Sequence, residues 1–254
     1  MNLLNIFLKS KYFDNLNTFV AKKIFKIFKI FFVETNLNTL PKDNHPTQID
    51  KNLQLKIIKN LNDDYYRPFS TCSFLLEAIS LYKSSKEKIK FFDFGANNID
   101  NYIYLKRYLK NLEYFYHDLP HYNNCIGEII YEKNLKDIKV INKLSEMEEN
   151  IDICFFGSSI HYVNNYEEIL GQVSLKKAKY IIFSHTPFYK SDKIDKNIVM
   201  KQVNIHPIIN YAYLLQFNKF INFMNKKNYK LISQNKNNFI KFFNFKNFNN
   251  FSFI

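Results

Sequence analysis

The chain has 254 residues, 46% hydrophobic and 23% charged, which is enough to bury a sizeable core and too apolar for wholesale disorder. Its net charge of +13 is carried almost entirely by lysine, since Arg67 and Arg107 are the only arginines among 36 basic residues. Residues 1–60 hold 10 Lys against 4 acids and residues 215–254 hold 7 Lys and no acid, so the span between them is neutral. Basic flanks around a neutral centre argue against a nucleic-acid enzyme, which concentrates arginine-rich charge at its working surface, and leave an anionic membrane surface open. Lys, Asn, Ile, Phe and Tyr are inflated while Gly is down to 4 and Trp is absent. That is the signature of codons drifted toward A and T, so composition alone says little about partners.

Cys72, Cys125 and Cys154 are scattered and odd in number, and no CxxC or Cys/His spacing points to zinc or to a disulfide framework. The start, MNLLNIFLKSKYF, lacks a basic segment ahead of an apolar stretch and a small-residue cleavage site. No run approaches the roughly 18 apolar residues of a spanning helix. The expectation is a cytoplasmic, reduced protein, with peripheral contact at the inner face of the membrane left open.

In chain order, residues 1–35 read as helix, most clearly in VAKKIFKIFKIFF. Lys22, Lys26 and Lys29 form one helical stripe with Lys23 beside it, and Ile and Phe fill most of the remainder, making a basic amphipathic helix. Docking on the rest of the chain, pairing with another subunit and binding an anionic membrane surface all fit that pattern. Residues 36–64, with Pro41 and Pro46 among many Asn and Asp, form a polar connector. PFSTCSFLLEAISLYK (68–83) has helical spacing behind Ser70 and Thr71 as caps.

The centre then alternates. Strand-like KIKFFDFG (88–95), LEYFYHD (112–118), DIKVINKL (137–144), IDICFFGSS (151–159) and AKYIIFSHT (178–186) are separated by helical stretches at 99–111, 121–134 and 164–177. A further helix is expected from about 207 to 226, then a hairpin of YKLIS and NFIKFF about the turn-rich QNKN. The resulting fold class is α/β: a doubly wound, mostly parallel sheet with a C-terminal antiparallel hairpin, preceded by N-terminal helices. Residues 1–60 form a helical extension and linker, 61–245 the α/β domain, and 246–254 a Phe/Asn-rich tail.

Such sheets bind ligands beyond the carboxyl ends of their strands, so the strand tips hold the candidate site. In FFDFGANNID, Gly95 permits close backbone approach and Asp93 supplies an acceptor, with Ala96 and Asn97 completing the turn. A structural strand–helix turn reads equally well. The single glycine disfavours a dinucleotide pyrophosphate cradle and with it a nicotinamide-dependent reductase. Asp118, 23 residues after Gly95 at the next tip, is placed to accept ribose hydroxyls. HDLPH (117–121) lacks a third well-spaced donor, so no metal is expected. Gly157, Ser158 and Ser159 form the rim after the fourth strand, with His161 as a group that titrates near neutrality and His185 at the fifth tip. Without a GxSxG elbow, the serines do not suggest a hydrolase.

The sequence FFDFGANN, LEYFYHDLP, DICFFGSSIHYV, YIIFSHTPF, VNIHPIINYAYLLQF and NYKLIS resembles the class I S-adenosylmethionine-dependent methyltransferases. Within them it is similar to a bacterial group encoded among surface-polysaccharide genes. The resemblance covers about residues 65–245 and implies a Rossmann-like methyltransferase fold with S-adenosylmethionine as cofactor. It further implies that Asp93, Gly95 and Ala96 line the methionine side, that Asp118 holds the ribose, and that residues 157–162 flank the transferable methyl. The glycine-rich first loop is reduced to Gly95, and no acid follows the third strand to meet the adenine.

The reading is methyl transfer to a hydroxyl or amine of a small molecule or glycan precursor, with His161 as base and His185 behind it. Nucleic acid is not an expected partner, and the oligomeric state is left open. The alternative is a non-catalytic binding or scaffold protein that keeps the fold with weakened cofactor affinity.

Overall fold

A computed structural model describes residues 3–28, 32–41, 51–52, 54–56, 75, 79–80, 82, 87–191, 193–203, 208, 210–237 and 250–253. The chain begins with α1 (Leu3–Lys9), α2 (Lys11–Asp14), α3 (Thr18–Phe28) and β1 (Phe32–Glu34). The central alternation follows as β2 (Ile89–Phe94), α4 (Asp100–Lys106), β3 (Leu112–His117), α5 (Pro120–Glu132) and β4 (Ile138–Val140), then β5 (Ile153–Gly157), α6 (Tyr166–Leu175) and β6 (Tyr180–Ser184). The remainder is β7 (Phe188–Tyr189), β8 (Ile198–Gln202), β9 (Asn210–Gln216), α7 (Phe217–Lys226), β10 (Gln234–Asn237) and β11 (Asn250–Phe253). Two compact units result: Met1–Pro46, His161–Asn164 and Thr186–Phe251 form one, and Thr47–Ile160, Asn165–His185 and Ser252–Ile254 the other.

The second unit is built on β2. Its sequence IKFFDF has apolar residues pointing to both faces of the strand, and five of its six residues are buried, which requires both faces to be covered. β2 accordingly lies inside a parallel array ordered β6-β5-β2-β3-β4, paired with β3 on one side and β5 on the other. The chain moves outward from β2 through β3 to β4, then returns across β2 to place β5 and β6 on the opposite side. Right-handed crossovers therefore put α4 and α5 on one face and α6 on the other, a doubly wound, Rossmann-like sheet.

Strand pleating divides the side chains accordingly. Ile89 and Phe91 of β2, Tyr114 and Tyr116 of β3, and Ile153 and Phe155 of β5 join Leu105 of α4 and Ile126 and Ile129 of α5 in one buried cluster. The other face carries a row of rings in register across four strands: His117, Phe94, Phe156 and Phe183. Neighbouring centroids are 5.1, 5.2 and 5.1 Å apart. Nearer the amino ends of the strands the same face holds ion pairs. Buried Glu113 meets Lys88 at 3.1 Å and Lys139 at 2.7 Å, and Glu148 meets Lys139 and Lys90, each at 2.8 Å.

β11 adds antiparallel to β6 through Phe253 and Phe183, so the sheet is mostly parallel with an antiparallel C-terminal addition. The boundaries differ from expectation: 229–233 has no regular structure, while QNKN, read as the turn, is β10. NFIKFF lies outside the described residues, as does most of 68–83, within which Leu75, Ile79 and Tyr82 are helical.

The first unit contains a mixed sheet, β1-β8-β9-β7, that periodicity did not reveal. β8 pairs antiparallel with β1 and β9, and β7 pairs parallel with β9. The helix expected over 207–226 is therefore two elements. NYAYLLQ is a strand buried along most of its length, and only from Phe217 does the helix run. A short, continuous apolar run does not distinguish a buried strand from a helix, and tertiary pairing decided it. The described residues of 1–35 likewise form three helices and a strand. Ser10 caps α2 by accepting from the Phe13 amide at 3.4 Å, and Phe32–Glu34 pair with β8. The inner side of these helices is docked, with Leu8, Phe13 and Ala21 packing on Val33 and Val203. Lys201 of β8, 4% exposed, is ion-paired with Asp14 of α2 and donates to the Leu8 carbonyl at 3.4 Å. No helix among the described residues is long and apolar enough to cross a membrane.

Truncating the ring row at its middle, Phe156→Ala, is expected to lower stability by about 3–5 kcal/mol in denaturant unfolding. The ion pairs give a pH signature. Hydrogen bonds from Lys139 and Lys90 hold the Glu148 carboxyl down at about 2, against an ordinary value of 4.5. A depressed folded pKa adds stability above the unfolded value and loses it as pH falls toward the folded one. Glu148→Gln should therefore flatten the pH dependence of stability between about 4.5 and 2, read from thermal unfolding across that range.

Candidate active site at the carboxyl ends of the parallel strands

The return of the chain across β2 opens a switch point between β2 and β5, where the loops leaving the two strands diverge. The backbone at these tips is unusual. Gly95 has φ +65°, and three residues with side chains share that left-handed region: Asn97 at 60°, Ser158 at 64° and His185 at 52°. Each such residue costs on the order of 1–3 kcal/mol unless its surroundings hold it, and such strain gathers at functional sites.

What holds them is visible in the contacts. The amides of Gly95 and Ala96 donate to the His117 carbonyl at 2.8 and 3.4 Å, tying the β2 turn to the tip of β3. The Asn97 amide donates to Asp118 Oδ2 at 2.6 Å, and the Leu119 amide to Asp118 Oδ1 at 2.7 Å. The Ser158 amide donates to the Ser184 carbonyl at 2.8 Å, and Ser184 Oγ lies 2.7 Å from His185 Nδ1. Ser159 Oγ reaches back across the switch point to the Phe94 carbonyl at 2.7 Å.

Gly95 has a second reason to be glycine besides its φ. A Cβ there would lie 2.4 Å from Ser159 Cβ. The close approach that sequence reasoning assigned to a ligand is made in part by Ser159. Gly157 is similarly close-packed, since a Cβ there would lie 2.6 Å from the Phe155 ring.

Asp118 is the carboxylate at the rim. Burial pushes its carboxyl above the ordinary value, against the Leu119 and Asn97 amides and the charges of His117 and His121, which favour the ionised form. Its own amide donates to Asn123 Oδ1 at 2.9 Å, and Asn123 Nδ2 donates to the Ile141 carbonyl at 3.2 Å, so this buried side chain fastens the tip of β3 to the end of β4. Two buried polar atoms nearby, Tyr116 Oη and His121 Nε2, have no hydrogen-bond partner among the described residues.

Asp93 is placed differently from an acceptor open to a crevice. It is wholly buried, and its Oδ2 accepts from Asn101 Nδ2 at 2.7 Å and from the Tyr114 hydroxyl. Burial foremost, and then Asp93, push the Tyr114 hydroxyl well above its ordinary pKa, which keeps it a donor. Asp93 therefore braces α4 and β3 behind the loop. Its partners Asn101 and Tyr114 were missed in the sequence, although a polar residue on the inner side of apolar NYIYL was a signal for the first.

The structure thus gathers Gly95, Ala96, Asn97, Asp118, Ser158, Ser159 and His185 at one edge of one unit. Gly157 closes β5 beneath them. His161, 1% exposed and with its ring 4.2 Å from that of Tyr162, belongs to the other unit. There Tyr162 donates to Gln202 at 3.0 Å and Tyr213 to Asn164 at 2.7 Å, which fixes its chain segment. Among the described residues no group of three or more His, Cys, Asp or Glu could hold a metal ion.

No family model matches the chain, and no curated protein matches it. Among solved structures it is similar to the N-terminal domain of EvdMO1 with SAH bound, at 8% identity and TM-score 0.47 over 82% of this chain and 98% of that one. It is also similar to a SAM-dependent methyltransferase from Aquifex aeolicus, at 13% identity and TM-score 0.47 over 81% and 97% of the two chains. A third is the Burkholderia thailandensis 1,6-didemethyltoxoflavin-N1-methyltransferase with 1,6-didemethyltoxoflavin and S-adenosylhomocysteine, at 10% identity and TM-score 0.44 over 84% and 92%. At such scores the likeness carries no argument of its own, and the fold stands on the strand order described above.

Gly95→Ala should destabilise by about 1–3 kcal/mol from its φ, with about 1–3 kcal/mol more from overpacking against Ser159. Adding Ser159→Gly should restore the second share and leave the first, as read from a double-mutant cycle of unfolding free energies.

Proposed function

We propose that the chain is an S-adenosylmethionine-dependent methyltransferase whose acceptor is a hydroxyl or amine of a small molecule, with surface-glycan precursors as the acceptor class. The observation that carries this reading is Asp118. It is a half-buried carboxylate at the tip of β3, one strand from the switch point, its pKa raised by burial and its two oxygens anchored by the Asn97 and Leu119 amides. A carboxylate has about four acceptor positions. Two amides leave capacity for a vicinal diol, and Tyr116 Oη and His121 Nε2, without a hydrogen-bond partner among the described residues, add polar atoms to the site. The residues present fit a nucleoside better than a pyrophosphate, because the β2 turn has only Gly95 to admit backbone-close groups.

In this assignment Asp118 holds the ribose, the 95–97 turn and Gly157–Ser159 line the cofactor, and Asp93 acts through Asn101 and Tyr114 to hold the turn in shape. When bound, S-adenosylmethionine supplies a sulfonium-activated methyl group open to in-line displacement. The chain's own contribution is then largely orientation of the acceptor and exclusion of water. A hydroxyl acceptor must also lose its proton as its oxygen is alkylated, and His185, at the same edge of the same unit, is the base assigned to it. The Ser184 contact fixes the His185 ring at the strand tip. Acceptor class rests on the resemblance to polysaccharide-cluster enzymes alone.

Isothermal titration with S-adenosylmethionine and with S-adenosylhomocysteine tests the reading, and binding of neither would end it. Asp118→Ala should weaken binding by about 1–3 kcal/mol, on the order of 5- to 150-fold, from unpaired ribose hydroxyls in a partly buried site. Because the acceptor is the ionised carboxylate and its pKa is raised, affinity should fall on the acid side at a higher pH than an ordinary aspartate would give. That pH dependence should be absent from Asp118→Asn.

A further inference from the structure

Among the described residues thirteen large apolar side chains are exposed, and five of them crowd into residues 3–20. Leu3 is 82% exposed and Ile6 46% on α1, Tyr12 83% on α2, and Phe19 66% and Val20 43% on α3. The opposite sides of the same helices are already used, since Leu8, Phe13 and Ala21 are buried against Val33 and Val203. These helices therefore have two apolar sides, one docked on their own unit and one turned to solvent.

The charges around the outward side are of one sign. Lys11 and Lys23 are exposed and Lys9 half-exposed, with Lys23 Nζ 4.6 Å from the centre of the Phe19 ring. The acid of α1–α3, Asp14, is taken up by Lys201 on the inner side. Exposed Leu, Ile, Phe and Tyr interleaved with lysine, without a carboxylate to oppose them, match a surface that is apolar beneath and negative above. That is the interface of an anionic bilayer. A protein partner for so apolar a face would not call for uncompensated lysines.

We infer that the outward side of α1–α3 is a membrane-contacting surface, with Leu3, Ile6, Phe19 and Val20 entering the headgroup region of an anionic leaflet and Lys9, Lys11 and Lys23 pairing with its phosphates. Docking and membrane contact are then not alternatives, because they use opposite sides of the same helices. The surface would hold the protein beside substrates presented at a membrane.

The test is co-sedimentation of the full chain with vesicles of phosphatidylcholine alone and of phosphatidylcholine mixed with phosphatidylglycerol. Three lysines at about fivefold each predict roughly a hundredfold preference for the anionic vesicles at low salt, falling as salt rises. The double variant Leu3→Glu, Phe19→Glu changes two exposed positions, so it should lose that binding while keeping its thermal unfolding midpoint. Lys11→Glu with Lys23→Glu should lose the anionic preference with the same midpoint. Equal binding to both vesicle types, no binding at low salt, or unchanged binding in both variants would overturn the inference. So would a dimer in sedimentation equilibrium that the Leu3→Glu, Phe19→Glu variant dissociates, since the face would then be covered by a second copy.

Discussion

The ring row His117–Phe94–Phe156–Phe183 is the contact on which the α/β unit depends. Four strands contribute one ring each at the same register level, so a one-residue slip of any strand would swing its ring to the opposite face and bring a different side chain to the row. On the other side of the sheet the alternate residues Phe91 and Tyr114, paired in register, pack with Phe155 in one buried cluster with residues of α4 and α5. Register is thus specified twice. The strand ends are brought level with one another as a consequence, and with them the turns at Gly95, Asp118, Ser158 and His185.

Those turns are where local preference and tertiary demand disagree. Asn97, Ser158 and His185 hold left-handed backbone that a free chain would leave, and each is held by a hydrogen bond at its own or a neighbouring residue to an adjacent strand tip. The strain is therefore a property of the levelled edge, and it shapes the loops before any ligand arrives. Asp93 contributes from behind: a buried carboxylate whose Oδ2 accepts from both Asn101 and Tyr114 is costly to rearrange, so it fixes how α4 leaves the turn.

The other unit is held by a different logic. Its helices α1–α3 and its strands β7–β9 are far apart in sequence, and the buried Lys201–Asp14 pair joins β8 to the second helix. Leaving one charge of such a pair alone in the interior is strongly unfavourable, which makes the pair a device for choosing one docking arrangement over others. With their inner side committed in this way, the helices are free to present a second apolar side outward.

Much was written locally in the sequence. Five strands of the parallel sheet, the helices between them, Gly95 as a turn of close backbone approach and Asp118 as an acid at the β3 tip follow from apolar runs and from the chemistry of Gly, Asp and Asn, which act over a few residues. The mixed sheet was not legible, because NYAYLLQ reads equally as helix or buried strand until β8 and β7 lie beside it. Nor was the inward turn of Asp93, which needed Asn101 and Tyr114, or the filling of the space above Gly95 by Ser159, 64 residues away. Composition and pattern decided which segments would be apolar and where the chain would turn. Only the tertiary structure decided which apolar run became a strand and which polar group faced inward, because those outcomes depend on partners that sequence distance does not reveal.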